Sequence, residues 1–130
     1  MAKILCIDFD GVLHSYTSGW QGADKIPDDP VDGAIDWLLD IAASEVFEAH
    51  IFSSRSHQEG GRDAMRDWLV KHGVPADYFH IGVEGTPPPM IWMPTTKPPA
   101  FLSIDDRGMR FEGTFPTIPE MAKIKTWQGR

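Results

Sequence analysis

The sequence is poor in the features that mark secreted and membrane proteins. It contains a single cysteine, Cys6, which excludes an intramolecular disulfide framework and suits a reducing compartment. No stretch approaches the roughly 18 apolar residues that a membrane helix needs. The N-terminus also lacks the apolar core and small-residue cleavage site of a signal peptide. We therefore expect a soluble, cytoplasmic protein without a membrane partner.

Basic residues are scarce as well, because 12 Lys and Arg stand against 19 Asp and Glu, for a net charge of −7. Neutralisation of phosphates by Lys and Arg supplies most of the affinity of proteins for long nucleic acids. The acidic balance therefore argues against such a partner. Only a faint basic tail is present near the C-terminus, formed by Lys123, Lys125 and Arg130.

Strand and helix patterns alternate along the 130 residues, of which 42% are hydrophobic, enough for the core of one domain. The apolar run at residues 3–9 is nearly continuous, which is typical of a strand buried on both faces of a parallel sheet. The alternation predicts an α/β fold, a Rossmann-like three-layer sandwich with a mostly parallel sheet and helices on both faces. Strands are predicted at 3–9, 47–53, 77–83 and 100–104, and helices at 30–42, 62–72 and near Pro119.

Two segments rich in turn residues separate these elements. Residues 14–30 contain Ser, Gly, Asp and Pro, and we expect a flap-like loop there. Residues 85–99 are rich in proline, so regular structure is not expected in them. Both segments are too short for a separate domain, and residues 1–130 are therefore predicted to form one domain.

Candidate catalytic groups lie at the ends of the predicted strands. Asp8 and Asp10 end the first strand, Ser53 ends the second, and Asp105 follows the fourth. In open parallel sheets, ligands bind beyond the carboxyl ends of the strands, where the strand order reverses. We therefore expect these polar groups to meet at one edge of the sheet.

The first motif is Asp8-Phe9-Asp10-Gly11. Two carboxylates separated by one residue share a side of an extended chain, and glycine allows a sharp turn after them. One carboxylate can attack phosphorus to form an aspartyl-phosphate, and the other can give a proton to the leaving group and later take one from water. For an isolated pair of this kind, capping of the loop after the strand is an equally open alternative.

The second motif is the acidic pair Asp105-Asp106. Mg²⁺ prefers an octahedron of hard oxygen ligands and usually takes one or two protein carboxylates. Asp8 and Asp105 could supply these, with the backbone carbonyl of Asp10 as a neutral ligand and Asp106 in support. An exposed turn pair is the alternative, and it is weakened because a second strand of this short chain also ends in acids.

Three further positions could bind a phosphoryl group. Ser53, with Ser54, offers a hydroxyl and backbone N–H groups at a strand end. Lys97 could balance the charge of the aspartates and stabilise the transition state. Taken singly, a serine after a strand is common, and a lysine in a proline-rich loop is usually solvated. Arg55 or Arg107 could share the role of Lys97, and both are candidate substrate-binding residues.

Taken in order, four segments resemble the haloacid dehalogenase-like (HAD) phosphohydrolases: ILCIDFDGVLH, HIFSSRS, TTKPPA and FLSIDDRG, which bracket about 100 of the 130 residues. The resemblance implies that Asp8 is the nucleophile and Asp10 the general acid/base of a phosphatase. It implies that Ser53 and Lys97 hold the transferring phosphoryl group. An aspartate at position 10 favours the phosphatase branch over dehalogenase chemistry.

The same resemblance implies a magnesium site formed by Asp8, Asp105 and the Asp10 carbonyl, with Asp106 assisting. One departure from the family is that its lysine usually starts a helix further upstream, whereas Lys97 lies eight positions before Asp105. A second departure is the lack of a segment long enough for a cap domain. We therefore expect a capless form, whose open site takes a large substrate or is closed by a second subunit of a homo-oligomer.

The predicted reaction is hydrolysis of a phosphomonoester, carried by a small molecule, a nucleotide or a nucleic-acid end. A catalytically silent module that binds metal and phosphate is an alternative, and so is phosphotransfer to an acceptor other than water. Side chains outside the motifs receive simpler interpretations. His14 is expected on the rim of the site, Cys6 as a small buried hydrophobe, and Trp127 as a cover for the sheet.

Overall fold

The computed structural model describes residues 2–79 and 88–129. Within these residues the chain forms an α/β fold with four strands and three α-helices. None of the described helices is long and apolar enough to cross a membrane. In chain order the elements are β1 (Lys3–Ile7), α1 (Ala34–Ala43), β2 (Phe47–Ile51), α2 (Gly61–Lys71), a 3₁₀ turn (Ala76–Phe79), β3 (Ile91–Trp92), β4 (Leu102–Ile104) and α3 (Ile118–Ala122).

The four strands form one parallel sheet in the order β3-β2-β1-β4, which confirms the predicted parallel sheet. β1 occupies an inner position, and Ile7 at its carboxyl end is in register with Ile51 on one side and Ile104 on the other. The residues that follow these three positions therefore leave the sheet at the same edge. Asp8 and Asp105 are two of them.

The hydrophobic core lies against one face of the sheet. Successive residues of a strand point to opposite faces, and the strands give the core only residues that are in register on one face. Both α1 and α2 contribute to the same core, so both helices pack on that face. The buried members are Leu5, Ile7, Ala49, Ile51 and Ile91 from the strands and Ala34, Leu38, Met65, Trp68 and Leu69 from the helices.

The second face carries a row of more polar residues. Cys6 is in register with His50 and Ser103, and His50 is in register with Trp92, on which its ring stacks at 5.2 Å. The connection from β3 to β4, residues 93–101, must pass β2 and β1, against the direction of the two helical connections. Right-handed crossovers place connections of opposite direction on opposite faces. This connection therefore crosses the second face.

The predicted helices on both faces of the sheet are not confirmed, and the crossover gives the reason. Its nine residues, 93–101, contain no helix and three prolines. Such a segment can span two strands in an extended form, but it cannot also coil into a helix of useful length. It carries Lys97 over the second face, close to the carboxyl edge of the sheet.

The apolar spacing predicted that the first helix begins near Pro30. In the structure it begins at Ala34. Residues before it are engaged with the turn after β1: Pro30 forms a bridge with His14, and Val31 N–H donates to the Leu13 carbonyl at 2.8 Å. Gly33 then adopts φ 80° as the N-cap. Because these contacts hold the backbone in a non-helical path, the helix starts one turn late.

Two predictions of local structure on either side of residues 80–87 are wrong. Residues 77–79, predicted as a strand, belong to a 3₁₀ turn, and residues 80–83 of that prediction lie outside the described residues. Regular structure was not expected at 85–99, yet Ile91–Trp92 forms the edge strand β3; residues 85–87 lie outside the description. The strand falls between prolines, so its two residues remain free to pair with β2.

Candidate active site

A tight turn follows β1 and positions the residues from Asp8 to His14. The Phe9 carbonyl accepts the N–H groups of Leu13 (2.9 Å) and His14 (3.0 Å), and Gly11 N–H donates to the His14 carbonyl (2.8 Å). Gly11 has φ 83°, and a Cβ at this position would collide with Oδ2 of Asp106. Glycine is therefore required both for the backbone conformation and for the close approach of Asp106.

Asp8, Asp105 and Asp106 form an acidic cluster at the carboxyl edge of the sheet. Each offers one carboxylate oxygen, and these atoms all lie within 4.8 Å of one another. Asp8 is fixed by its N–H, which donates to the Ile104 carbonyl at 2.9 Å, and Asp105 Oδ1 accepts the N–H of Arg107 at 2.9 Å. The structure thus brings together the three carboxylates that the sequence predicts for a metal site.

The electrostatics of this cluster suit a cation. Burial raises the pKa of Asp8 to about 7; the Phe9 N–H opposes the shift, while the neighbouring carboxylates Asp105, Asp106 and Asp10 add to it. Burial also raises the pKa of Asp106, and Asp105 adds to that shift. Carboxylates that repel one another in this way are relieved by a divalent ion. Three hard oxygen donors are the ligand type that Mg²⁺ prefers.

The Asp10 carboxylate lies outside that cluster and has its own partners. Arg55 Nε donates to Asp10 Oδ2 at 2.9 Å and to Oδ1 at 3.2 Å, and His14 Nδ1 donates to Oδ1 at 2.9 Å. Burial alone would raise the pKa of Asp10, but the hydrogen bonds from His14 and Arg55 and the charge of Arg55 outweigh it, so the pKa is lowered. The Asp10 carboxylate is therefore not a member of the acidic cluster formed by Asp8, Asp105 and Asp106.

His14 is fully buried, so its predicted position on the rim is wrong. Its Nε2 accepts the backbone N–H of Asp28 at 3.1 Å, which leaves Nδ1 to carry the proton that is donated to Asp10. The ring also packs against Phe9 and Trp68, at centroid distances of 5.7 and 5.5 Å. The spacing of four residues between Asp10 and His14 was the available sequence signal for this contact. It could be interpreted only once the tight turn was known.

A cavity of about 180 Å³ opens beside Asp8 on the second face of the sheet. Ser53 is buried at its wall, where its Oγ accepts the backbone N–H of Arg55 at 3.0 Å. Lys97 reaches the cavity from the crossover. Cys6, which the sequence indicated only as a buried hydrophobe, is buried and also lines it, and burial raises the pKa of its thiol. The lining residues are Cys6, Asp8, Phe52, Ser53, Ser54, Lys97, Ser103, Ile104 and Asp105.

The two arginines proposed as substitutes for Lys97 lie elsewhere. Arg55 is fully buried and bonded to Asp10 and to backbone carbonyls of the flap. Arg107 is exposed and lines a separate cavity formed by residues 107–124. Neither is among the residues that line the cavity beside Asp8, whereas Lys97 is.

The C-terminal segment contributes a contact that the sequence did not reveal. Trp127 Nε1 donates to the Gly11 carbonyl at 2.7 Å, and Gln128 Nε2 donates to the Ser15 carbonyl at 2.8 Å. Both acceptors belong to the turn after β1. Trp127 therefore supports the turn after β1, although its ring remains largely exposed.

No protein-family model, curated protein or solved structure matches this chain in the three comparisons made. Four residues from the four segments that resemble HAD phosphohydrolases line one cavity: Asp8, Ser53, Lys97 and Asp105.

Proposed function

We propose that this chain is a Mg²⁺-dependent phosphatase of the HAD-like type, which hydrolyses a phosphomonoester through an aspartyl-phosphate on Asp8. The supporting observation is the convergence of Asp8, Ser53, Lys97 and Asp105 on one small cavity, although up to 97 positions separate them in the sequence. A nucleophile, a hydroxyl, a cation and a metal-binding carboxylate are what phosphoryl transfer by this route needs.

In the proposed first step, Asp8 forms a bond to phosphorus while the bond from phosphorus to the leaving oxygen breaks. Asp10, in its protonated form, gives that oxygen a proton. In the second step, Asp10 takes a proton from water as the water oxygen attacks phosphorus, and the bond to Asp8 breaks to release phosphate. Lys97 and Ser53 offset the charge on the transferring group.

Mg²⁺ belongs to the same proposal. Asp8, Asp105 and Asp106 would hold it, with the carbonyl of Asp10 as a further ligand. When bound, the ion would neutralise charge on the carboxylates and on the incoming phosphoryl group. The raised pKa values of Asp8 and Asp106 support this, because burial and the neighbouring carboxylates both disfavour the ionised forms that a cation would stabilise.

The finer assignment is a Rossmann-like three-layer fold without a cap domain, in a cytoplasmic protein. Here the crossover, residues 93–101, would take the place of the second layer of helices. The cavity beside Asp8 has room for a phosphoryl group, while the leaving group would lie outside it. A phosphorylated small molecule, a nucleotide or a nucleic-acid end would all fit this description, and a second subunit could cover the opening.

The test is release of phosphate from an aryl phosphate, with Mg²⁺ or with EDTA, by wild type and Asp8→Asn in parallel. Asp36→Asn is the matched control, because Asp36 is an exposed aspartate on α1. We expect turnover by wild type and the control only with Mg²⁺, and none by Asp8→Asn. Full activity of Asp8→Asn would refute the mechanism. Binding of Mg²⁺ and phosphate without turnover would favour the silent module, and a phosphorylated alcohol as product would favour phosphotransfer.

A further inference from the structure

Arg55 is the largest fully buried side chain among the described residues. Its position follows from β2, after which Ser53 Oγ accepts the Arg55 N–H and Gly61, at the start of α2, allows close packing. A Cβ at Gly61 would collide with the Arg55 carbonyl. The backbone on both sides of this arginine is therefore held by the fold, and its guanidinium is directed by the scaffold.

One edge of the guanidinium binds the proposed proton-transfer residue. Nε donates to both carboxylate oxygens of Asp10, at 2.9 and 3.2 Å. His14 Nδ1 also donates to that carboxylate, at 2.9 Å. Arg55 and His14 together thus fix the orientation of the Asp10 carboxylate.

Another nitrogen of the same group binds the flap. Nη1 lies 2.8 Å from the Gly22 carbonyl, 2.9 Å from that of Ala23 and 3.0 Å from that of Lys25. The Trp20 ring covers the guanidinium, with its centroid 4.8 Å from the central carbon. Residues 20–25 are therefore seated on Arg55 by several contacts, all of which lie within the loop expected to act as a flap.

A guanidinium is planar and rigid, so its two ends cannot move independently. We propose that Arg55 is a positioning residue that couples the flap, residues 20–25, to Asp10, so that Asp10 is correctly oriented for proton transfer only when the flap is seated. The proposal rests on the phosphatase function proposed above. It differs from the predicted role of Arg55 in substrate binding, because the side chain is fully buried and its Nε and Nη1 are bonded to the protein.

The first experiment compares Arg55→Lys with Arg62→Lys as a matched control, since Arg62 is an exposed arginine on α2 that also donates to a backbone carbonyl. Lysine keeps the charge but has one nitrogen, which cannot bind Asp10 and the flap at once. The measurement is kcat and KM on an aryl phosphate and on an alkyl phosphate. Alkyl leaving groups depend more strongly on proton donation.

We expect Arg55→Lys to lower kcat about 10²-fold on the alkyl phosphate and about 10-fold or less on the aryl phosphate, with little change in KM. A merely structural role would lower both activities by the same factor, because it would only reduce the fraction of folded enzyme. Equal losses on the two substrates, or a loss confined to KM, would overturn the proposal.

The second experiment needs no activity. Lys25 is exposed, and its carbonyl, which belongs to the bond that trypsin cleaves, is one of the acceptors of Arg55. We expect both Arg55→Lys and Asp10→Asn to speed tryptic cleavage after Lys25 about 10-fold, because coupling between two groups is reciprocal. Cleavage after Lys71, an exposed lysine at the end of α2, is the internal control.

The two readouts separate this inference from the proposed function. If wild type shows no turnover but both variants loosen the flap, the coupling stands and the phosphatase assignment falls. If wild type turns over and Asp10→Asn leaves cleavage after Lys25 unchanged, the coupling is wrong and the assignment is untouched. If Arg55→Lys fails to fold, the rate of tryptic cleavage after Lys25 in Asp10→Asn still decides whether the flap and Asp10 are coupled.

Discussion

Asp8 and Asp10 are separated by one residue, yet their carboxylates lie in opposite electrostatic surroundings. Asp8 faces other carboxylates at the edge of the sheet, and its pKa is raised to about 7. Asp10 receives hydrogen bonds from Arg55 and His14, and its pKa is lowered. Burial acts on both carboxyl groups in the same direction, so their neighbours decide the sign of the shift.

The comparison shows how one turn can serve two kinds of chemistry. Asp10 already has a cation within the protein, whereas under the proposed function Asp8 and its acidic neighbours would take one from outside. The first environment keeps Asp10 ionised and oriented, which suits the step that accepts a proton from water, while proton donation needs the less populated protonated form. The second suits a group that binds metal and attacks phosphorus. Aspartate-to-asparagine changes at the two positions should therefore differ in kind and not only in degree.

The largest expected difference is in turnover. Asp8→Asn should lower phosphate release about 10³-fold or more, because the nucleophile is lost. Asp10→Asn should slow both proton-transfer steps about 10²- to 10³-fold, and the phosphorylated enzyme should then accumulate. Phosphate release and the intact mass of the quenched protein measure the two effects. Accumulation of phospho-enzyme in Asp8→Asn would reverse the assigned roles.

The next largest effect is on stability at Asp10. The lowered pKa means that Asp10 stabilises the fold when ionised, and that this contribution is lost as the pH falls through the folded-state pKa. At pH 8, Asp10→Asn should reduce the free energy of unfolding by about 3 kcal/mol, because the charge of Arg55 remains buried without its partner. Urea unfolding of wild type, Asp10→Asn and the exposed control Asp36→Asn tests this. A loss no greater than that of the control would contradict it.

In EDTA, Asp8→Asn should increase the free energy of unfolding, whereas Asp10→Asn reduces it. With its pKa raised from 3.8 to about 7, Asp8 holds its proton more tightly in the folded state, so wild type loses stability as the pH rises between these values. At pH 8 the asparagine variant should be more stable by roughly 2 kcal/mol, and near pH 4 the difference should vanish. Added Mg²⁺ should stabilise wild type and not the variant. Lower stability of Asp8→Asn than of wild type at pH 8 would contradict the opposite electrostatic surroundings of Asp8 and Asp10.

The smallest effect is expected where the C-terminal segment supports the turn that carries both aspartates. Trp127→Phe removes the N–H that donates to Gly11 and should cost about 1 kcal/mol in thermal or urea unfolding. Phe115→Ser is the control, because Phe115 is 83% exposed, and it should change stability by less than about 0.5 kcal/mol. Equal effects of the two changes would mean that the Trp127 hydrogen bond does not support the turn.

The sequence predicted the parallel sheet and the meeting of Asp8 with Asp105 because both depend on local patterns and one topological rule. A buried strand shows as an apolar run, and parallel strands end at the same edge. Contacts of the turn after β1 could not be predicted in this way. Burial of His14 depends on Phe9 and Trp68 packing around it, and the role of Trp127 depends on a hydrogen bond across 116 positions.

The crossover, residues 93–101, holds no helix, and the sequence carried a signal for this that was interpreted too narrowly. Prolines in residues 85–99 indicated that a helix was absent there, but not that part of the segment must bridge the sheet. Strand order was needed for that, and Ile91–Trp92 is too short to stand out as a strand. The buried position of Arg55 could not be predicted either, because its partners in the flap are close in space but distant in the sequence.

The pairing of β1 with β4 also determines when the site can form during folding. β1 can pair with β2 once about 50 residues have been synthesised, but its other edge must wait for Leu102–Ile104. Closing a loop of almost 100 residues is entropically costly and slow. The strand that carries Asp8 thus keeps one edge open until residues 102–104 have been made, and the acidic cluster is completed among the last contacts of the sheet.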